Sequence, residues 1–296
     1  MIIVKTLAIL IRNLALDLRY GSLLRVATLG FVFVFLFYPV IQGLVLDWST
    51  HYEYSHGFLI PLLSGYLIWC RRRELQECSG ETSLAGFGIL LFGLTFYVLG
   101  LSGQEEFVQR LSLPVTLAGL VYFLAGRRIT KISLFPIGYL FLMIPIPFTL
   151  YKAIALELRL LDAKLVASWS SFLGVPVFRE GYLIYLPNIT LEVADGCSGV
   201  LSILALVALG TFYINQIELP MGGKSLLWGL LIPVSVLANV VRIVTIVFLV
   251  HYSGEWVLQT TFHKLSGTFN FLLGFMTIAL VGFMLKRILL PGEVEK

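Results

Sequence analysis

The chain has 296 residues, of which 58% are hydrophobic and only 13% are charged, and its mean hydropathy is +0.92. Soluble domains carry about 25% charged residues, so this composition excludes a soluble globular domain. The formal net charge of +4 does not indicate nucleic-acid binding, because the cations collect in particular loops between apolar runs, as in membrane proteins. The composition predicts an all-α, polytopic membrane protein that binds no nucleic acid.

The first 22 residues mix cations with apolar residues. Lys5, Arg12 and Arg19 are spaced about two helical turns apart, which gives a helix one basic face and one apolar face. No small-residue cleavage site follows a compact apolar run, so the segment does not resemble a cleaved signal peptide. Two interpretations stay open: an interfacial helix on the cytoplasmic surface over residues 1–22, or a loosely ordered lead-in to the first span.

Apolar runs long enough to cross a hydrocarbon core of about 30 Å recur along the chain. They predict about eight spans, over residues 24–46, 58–70, 84–101, 108–125, 133–150, 200–214, 226–250 and 266–285. Pro145 and Pro147 predict that the fifth span bends or ends near its exit. All the spans are assigned to a single membrane domain over residues 1–296.

A long segment over residues 151–196 interrupts this series. Its first half has apolar residues at helical spacing, with charged residues such as Arg159, Asp162 and Lys164 among them. This pattern predicts an amphipathic helix at the outer membrane interface. The second half contains glycine, proline and a β-like run, which favours a short hairpin or extended loop.

The distribution of cations predicts the orientation. Eight spans place both termini on one side, and most of the 21 Lys and Arg residues fall on that side, which indicates the cytoplasm. Cys197, Arg242 and His263 then converge on the outer face. Arg242 lies about 16 residues into its span, so ~24 Å from the cytoplasmic end. An ionisable residue inside a span is costly and is usually functional or paired.

Cys197 is the candidate nucleophile. Cys70 and Cys78 are predicted at the cytoplasmic face, so Cys197 has no disulfide partner there and is flagged as a reactive thiol. A helix N-terminus and a nearby cation favour the nucleophilic thiolate, whereas the neighbouring Asp195 acts in the opposite direction. The alternative interpretation is a small, buried structural residue.

His263 and Arg242 each have an ordinary alternative as well. The histidine could be an interface residue bonded to a backbone carbonyl, and the arginine could be a structural partner for a carboxylate. A functional interpretation depends on their combination with Cys197. No tight ligand spacing points to a metal, and no cofactor is predicted.

Four further residues near the outer face are candidates for supporting or substrate-binding roles. Asn239 shares a helix face with the arginine three residues later, and could orient it or donate to a substrate carbonyl. His56 is a rival general base. Glu53 and Ser198 complete this predicted set.

The motifs resemble those of the exosortases, including the related archaeosortases. Cys-Ser-Gly (197–199) at the head of one helix, Asn-x-x-Arg (239–242) in the next and Phe-His (262–263) near the start of the last occur in that family's order. The sequence YSHGFLIP (54–61) looks like its early motif. The resemblance covers most of the chain from about Trp48 onward.

The resemblance implies a membrane-embedded cysteine protease or transpeptidase, with Cys197 as nucleophile and Arg242 and His263 as catalytic partners. The implied substrates are exported proteins with a C-terminal sorting tail: a short motif, often Pro-Glu-Pro, then a membrane span and a basic cluster. Other implied partners are membrane lipid and a surface glycan or lipid acceptor. The implied location is the inner (plasma) membrane, with the active site facing outside and a role in exopolysaccharide production.

Two rival classes stay open. A transporter would place its polar residues near the middle of the membrane on broken helices. A polytopic acyltransferase of an exopolysaccharide system could use an outer-face histidine and arginine, but would not need Cys197.

Overall fold

The structure is a computed structural model that describes residues 27–78, 82–187, 189–193 and 199–290, without the side chains of residues 259 and 261–264. The predicted interfacial helix over residues 1–22 lies outside this range, as do Cys197 and Ser198. The described part is largely helical, as the composition predicts.

The helices follow one another along the described chain as α1 (Ala27–Leu36), α2 (Tyr38–Thr50), α3 (Leu59–Cys70), α4 (Arg72–Gln76), α5 (Leu84–Gly103), α6 (Glu106–Tyr139), α7 (Phe148–Phe172), α8 (Val200–Gln216), α9 (Met221–Ser253) and α10 (Thr261–Leu289). Short 3-10 segments occupy Tyr52–Phe58, Leu140–Met143 and Glu255–Gln259.

Among the described helices, four are long and apolar enough to cross a membrane: Leu84–Gly103, Glu106–Met143, Met221–Ser253 and Leu265–Leu289. A fifth span is added if α1 and α2, which meet at a bend of 63°, count as one. The predicted count of about eight spans is not confirmed. The helices α3 and α8 have 12 and 17 residues, fewer than the ~20 that cross a bilayer without help.

The fourth and fifth predicted spans differ most from the structure. The sequence predicts a cytoplasmic loop between them, whereas the structure has two helices within Glu106–Tyr139 that meet at a kink at Gly126, whose φ is 76°. A glycine adopts this left-handed conformation at little cost, so the chain breaks there without a longer loop. The fifth predicted span ends earlier than predicted, since α6 ends at Tyr139, although the next helix begins directly after Pro147.

The described residues belong to two compact units, one drawn from Met1–Leu46 and Gly80–Thr130, the other from Asp47–Ser79 and Lys131–Lys296. In the first unit, α5 and α6 pack at glycines. A Cβ on Gly86 would be 2.2 Å from the backbone nitrogen of Phe123, and a Cβ on Gly119 would be 2.3 Å from that of Leu90. Such close backbone approach at small residues is a common way for membrane helices to associate.

The second unit has a three-helix core formed by α8, α9 and α10. Fully buried aliphatic side chains fill it: Leu206, Ile214, Leu227, Leu231 and Ile278. The Tyr139 hydroxyl donates to the carbonyl oxygen of Ala208 at 3.0 Å and attaches the end of α6 to α8. This core positions the polar residues described below.

The segment between α7 and α8 contains a small antiparallel sheet in the order β1-β2-β3, with strands Phe178–Glu180, Leu183–Tyr185 and Thr190–Glu192. Ile184 packs into a core with Val166 of α7 and Val247 of α9. Arg159 of α7 donates to Glu192 of β3 at 2.8 Å. The predicted amphipathic helix followed by a short extended hairpin is confirmed; its place at the outer interface stays a prediction.

Candidate active site

Asn239 of α9 is the centre of a buried polar cluster and is 0% exposed. Its Nδ2 donates to the Asp162 carboxylate at 2.8 Å. Its Oδ1 accepts from Asn270 Nδ2 at 3.3 Å and from Arg242 Nη1 at 3.4 Å. One amide therefore joins α7, α9 and α10.

Arg242 is held by both long helices of the core. Its Nε donates to Ser266 Oγ of α10 at 2.9 Å, while its Nη1 reaches Asn239 one turn earlier on α9. Ser266 is buried. A guanidinium fixed at two of its nitrogens has little rotational freedom left, so the remaining N–H donors point in defined directions.

The start of α8 contacts the same cluster. Asn270 Nδ2 also donates to Ser202 Oγ in the first turn of α8, at 2.9 Å. Gly199, which precedes this helix, has a φ of 73°, and a Cβ there would be 2.9 Å from Asn239 Nδ2. Glycine is required here for two reasons: the left-handed conformation favours it, and the Asn239 amide leaves no room for a side chain.

The predicted catalytic residues are described to different extents. Arg242 and Asn239 lie together, as their spacing predicts. Cys197 lies outside the described residues and precedes Gly199 by two positions in the sequence. Position 263 is in the first turn of α10, three residues before Ser266. The roles of these residues stay predictions.

The other supporting candidates are not part of the cluster around Asn239 as far as the structure describes them. Glu53 and His56 share the 3-10 segment Tyr52–Phe58, and among the described residues no hydrogen bond or ion pair joins either of them to Asn239. His56 instead lines a separate cavity, described below. Ser198 is outside the described range.

Asp162 is the functional candidate that the sequence analysis missed. It is 1% exposed, and this burial raises the pKa of its carboxyl to about 7, although the Asn239 amide and the Arg242 charge act in the opposite direction. The sequence pattern places Asp162 among the charged residues of an amphipathic helix. Its spacing was the available signal, because Ala155, Asp162 and Val166 share the buried face of α7.

A cavity of about 180 Å³ lies between α9 and α10 beside this cluster. Its polar wall is formed by Arg242, Ser266 and Asn270. Its apolar wall includes Phe269 and Leu273, whose side chains are largely exposed on a helix that can cross a membrane. The cavity therefore connects a fixed guanidinium to a surface suited to lipid.

The fold and the cluster define a polytopic helical membrane protein with a buried, arginine-containing polar site where the first turns of α8 and α10 meet the inner part of α9. Comparison with known families agrees with this description. Residues 48–280 match the family model described as transmembrane exosortase (Exosortase_EpsH). The chain belongs to the transmembrane exosortase family, which confirms the resemblance found in its sequence. No curated protein and no solved structure matches the chain.

Proposed function

We propose that the protein is a membrane-embedded cysteine peptidase or transpeptidase that cleaves the C-terminal sorting tail of exported proteins. The observation that carries this proposal is the hydrogen-bonded cluster around Asn239, which holds Arg242 beside the start of α8 and the first turns of α10. Cys197 precedes α8 in the sequence, and His263 lies in the first turn of α10. The cluster thus supports a site that combines a thiol, a guanidinium and an imidazole.

In the first half-reaction, the Cys197 thiolate attacks a peptide carbonyl of the tail and forms a thioester. Arg242 stabilises the oxyanion, and loss of one such donor typically costs about 10²–10³ in rate. His263 gives a proton to the leaving amine. Asn239 orients the guanidinium; this role is favoured over donation to the substrate, because its Nδ2 is already bonded to Asp162.

The cavity between α9 and α10 is the proposed binding site for the scissile segment of the tail. A substrate anchored in the bilayer can approach it sideways, along Phe269 and Leu273, without exposing its apolar residues to water. Arg242 at the polar wall then faces the peptide carbonyls. A soluble sorting peptidase would not need an apolar entrance of this kind.

The proposed location is the inner (plasma) membrane, with both termini in the cytoplasm and the site facing outside. The excess of Lys and Arg on the side of the termini supports this orientation. The proposed partners are the sorting tail, membrane lipid and a surface glycan or lipid that accepts the cleaved protein.

The test is the processing of a reporter that ends in a Pro-Glu-Pro motif, a membrane span and a basic cluster. It is expressed with the wild-type protein, with Cys197→Ala and with Cys70→Ala as the matched control. We expect a size shift with the wild type and with Cys70→Ala, and none with Cys197→Ala. A shift that survives in Cys197→Ala would show that Cys197 is not the nucleophile and would contradict the mechanism.

A further inference from the structure

A second cavity, of about 150 Å³, lies on the face of α10 opposite to the cavity beside Arg242. The first cavity uses Ser266, Asn270 and neighbouring residues, whereas this one uses Gly267 and Thr268, which helical periodicity directs to the other side. The first turns of α8 and the 3-10 segment Tyr52–Phe58 complete its wall.

The histidine that lines this cavity is held in place by its neighbours. A Cβ on Gly57 would be 2.2 Å from Trp48 Nε1, so the glycine packs flat against the indole. That Nε1 donates to the Met143 carbonyl at 2.9 Å, and the Tyr54 hydroxyl donates to the Ile146 carbonyl at 3.3 Å. His56 therefore belongs to a segment anchored on both sides of its position.

The imidazole of His56 has one nitrogen enclosed by the protein. Its Nδ1 is buried and has no hydrogen-bond partner among the residues that the structure describes. Burial lowers the pKa of His56 below its usual 6.5, although the carbonyls of Leu142 and Glu53 act in the opposite direction. At neutral pH the ring is uncharged, which is the form that accepts a proton.

The second cavity is connected to the polar cluster. Ser202 lines it, and the Ser202 hydroxyl accepts the hydrogen bond from Asn270 Nδ2, which also donates to Asn239. Position 263 precedes Ser266 by three residues and Gly267 by four, so the two cavities begin on either side of the helical turn that carries the predicted catalytic imidazole. Two cavities beside one site fit a reaction with two substrates.

We propose that the second cavity binds the acceptor and that His56 is the base of the second half-reaction. This inference rests on the proposed function. The acceptor presents an amine or hydroxyl group at the end of a longer molecule, because a cavity of about 150 Å³ admits a group of about the size of benzene and not a whole glycan or lipid. Ser202 and Thr268 are among the residues that line this space.

The chemical step conserves atoms and electrons without an oxidant. The acceptor oxygen or nitrogen attacks the thioester carbonyl carbon while His56 takes its proton. The C–S bond breaks, Cys197 leaves as the thiolate, and an ester or amide remains on the cleaved protein. His56 then returns its proton to solvent, and the site is ready for the next tail.

The test follows the covalent adduct between the reporter and Cys197 in the purified protein. His56→Ala and His56→Gln are compared with the wild type, and His51→Ala, from the same loop but with an exposed side chain, is the matched control. With glycinamide as acceptor, we expect adduct formation to stay close to wild type in both His56 variants and its release to fall about 10²-fold. Hydroxylamine, which is nucleophilic without a base, should release all adducts equally.

Chemical rescue provides a second readout. Added imidazole should restore release in His56→Ala, whose truncated side chain leaves room for it, and should not change His51→Ala. Release that is unchanged in both His56 variants would overturn the acceptor site, and so would an equal loss of adduct formation and release. Cleavage that persists in Cys197→Ala would instead contradict the proposed function, so the two failures are distinguishable.

Discussion

The side-chain amide of Asn239 both donates and accepts hydrogen bonds, so few other residues could replace it in the cluster. Nδ2 donates to Asp162, and Oδ1 accepts from Arg242 and Asn270. No other side chain of similar size both donates and accepts in this geometry. An aspartate would place two carboxylates in contact, and a leucine would leave Asp162 buried without its donor.

We expect Asn239→Ala to lower both stability and activity. A buried group that loses its partner costs about 1–3 kcal/mol, and a guanidinium that is no longer oriented should slow processing about 10²-fold or more. The matched control is Ser235→Ala, one turn earlier on α9, since Ser235 is buried and its hydroxyl has no partner within the described structure. Thermal unfolding in detergent and reporter processing measure the two effects; equal results for both variants would contradict the role of the cluster.

The Asp162 carboxyl predicts a pH dependence of stability. Its pKa is raised from 3.8 to about 7 in the folded protein, so the folded state binds the proton more tightly than the unfolded state does. The stability that this proton provides is fully present below about pH 4 and is lost as the pH rises to about 7. Asp162→Asn keeps an acceptor for Asn239 but does not titrate.

We therefore expect the unfolding temperature of the wild type to fall, relative to that of Asp162→Asn, as the pH rises from about 5 to about 8. Glu192→Gln, which also removes a carboxylate from the same unit but at an exposed ion pair, is the control for general charge effects. A wild type whose unfolding temperature does not change relative to that of Asp162→Asn over this pH range would show that Arg242 keeps Asp162 ionised.

At the scale of elements, α9 and α10 do more than cross the membrane. Both helices are long and apolar enough to cross a membrane. The cavity between them has Arg242 on one wall and apolar side chains on the other. A membrane-anchored substrate needs this combination, because its scissile peptide must reach a charged group while its tail stays in lipid.

Filling the cavity between α9 and α10 with a larger side chain should block processing of the reporter without unfolding the protein. We expect Leu273→Trp and Val241→Trp to abolish the size shift, since both positions line the cavity and have exposed side chains. Leu280→Trp is the matched control, because Leu280 is also exposed on α10 and does not line the cavity. Normal processing by both Leu273→Trp and Val241→Trp would show that the tail does not enter through this cavity.

The elements also show where local pattern suffices. Runs of neighbouring residues specify the extent of α5 and the change from helix to hairpin after α7. The kink at Gly126 does not, since the charged residues after it predict a loop and only the packed structure shows that the next helix begins directly there. The count of spans depends on such breaks.

At the scale of the whole molecule, the orientation in the membrane decides whether the site can meet exported proteins. The proposed orientation rests on the distribution of Lys and Arg and on the predicted eight spans, and it would place Cys197 outside and Cys70 and Cys78 inside. The match to the transmembrane exosortase family extends over residues 48–280, and so includes every predicted catalytic residue.

Single-cysteine variants test this orientation. A membrane-impermeant maleimide added to spheroplasts, whose outer layers are removed, should label the variant that keeps Cys197. It should label the variant that keeps only Cys70 only after the membrane has been permeabilised. The Cys70 thiol is exposed in the structure, so a lack of labelling before permeabilisation reports the side of the membrane. Labelling of Cys70 in intact spheroplasts would show that the orientation is opposite to the proposed one.

The sequence by itself determined the membrane class, the family and the pairing of Asn239 with Arg242, because hydropathy, motif order and a spacing of three residues on one helix are local properties. Only the tertiary structure brought Asp162 to Asn239 across 77 residues of chain, and Ser202 to Asn270 across 68. Contacts between helices depend on which buried faces pack together and on where each helix breaks. Those choices minimise the free energy of the whole bundle, so no single stretch of sequence specifies them.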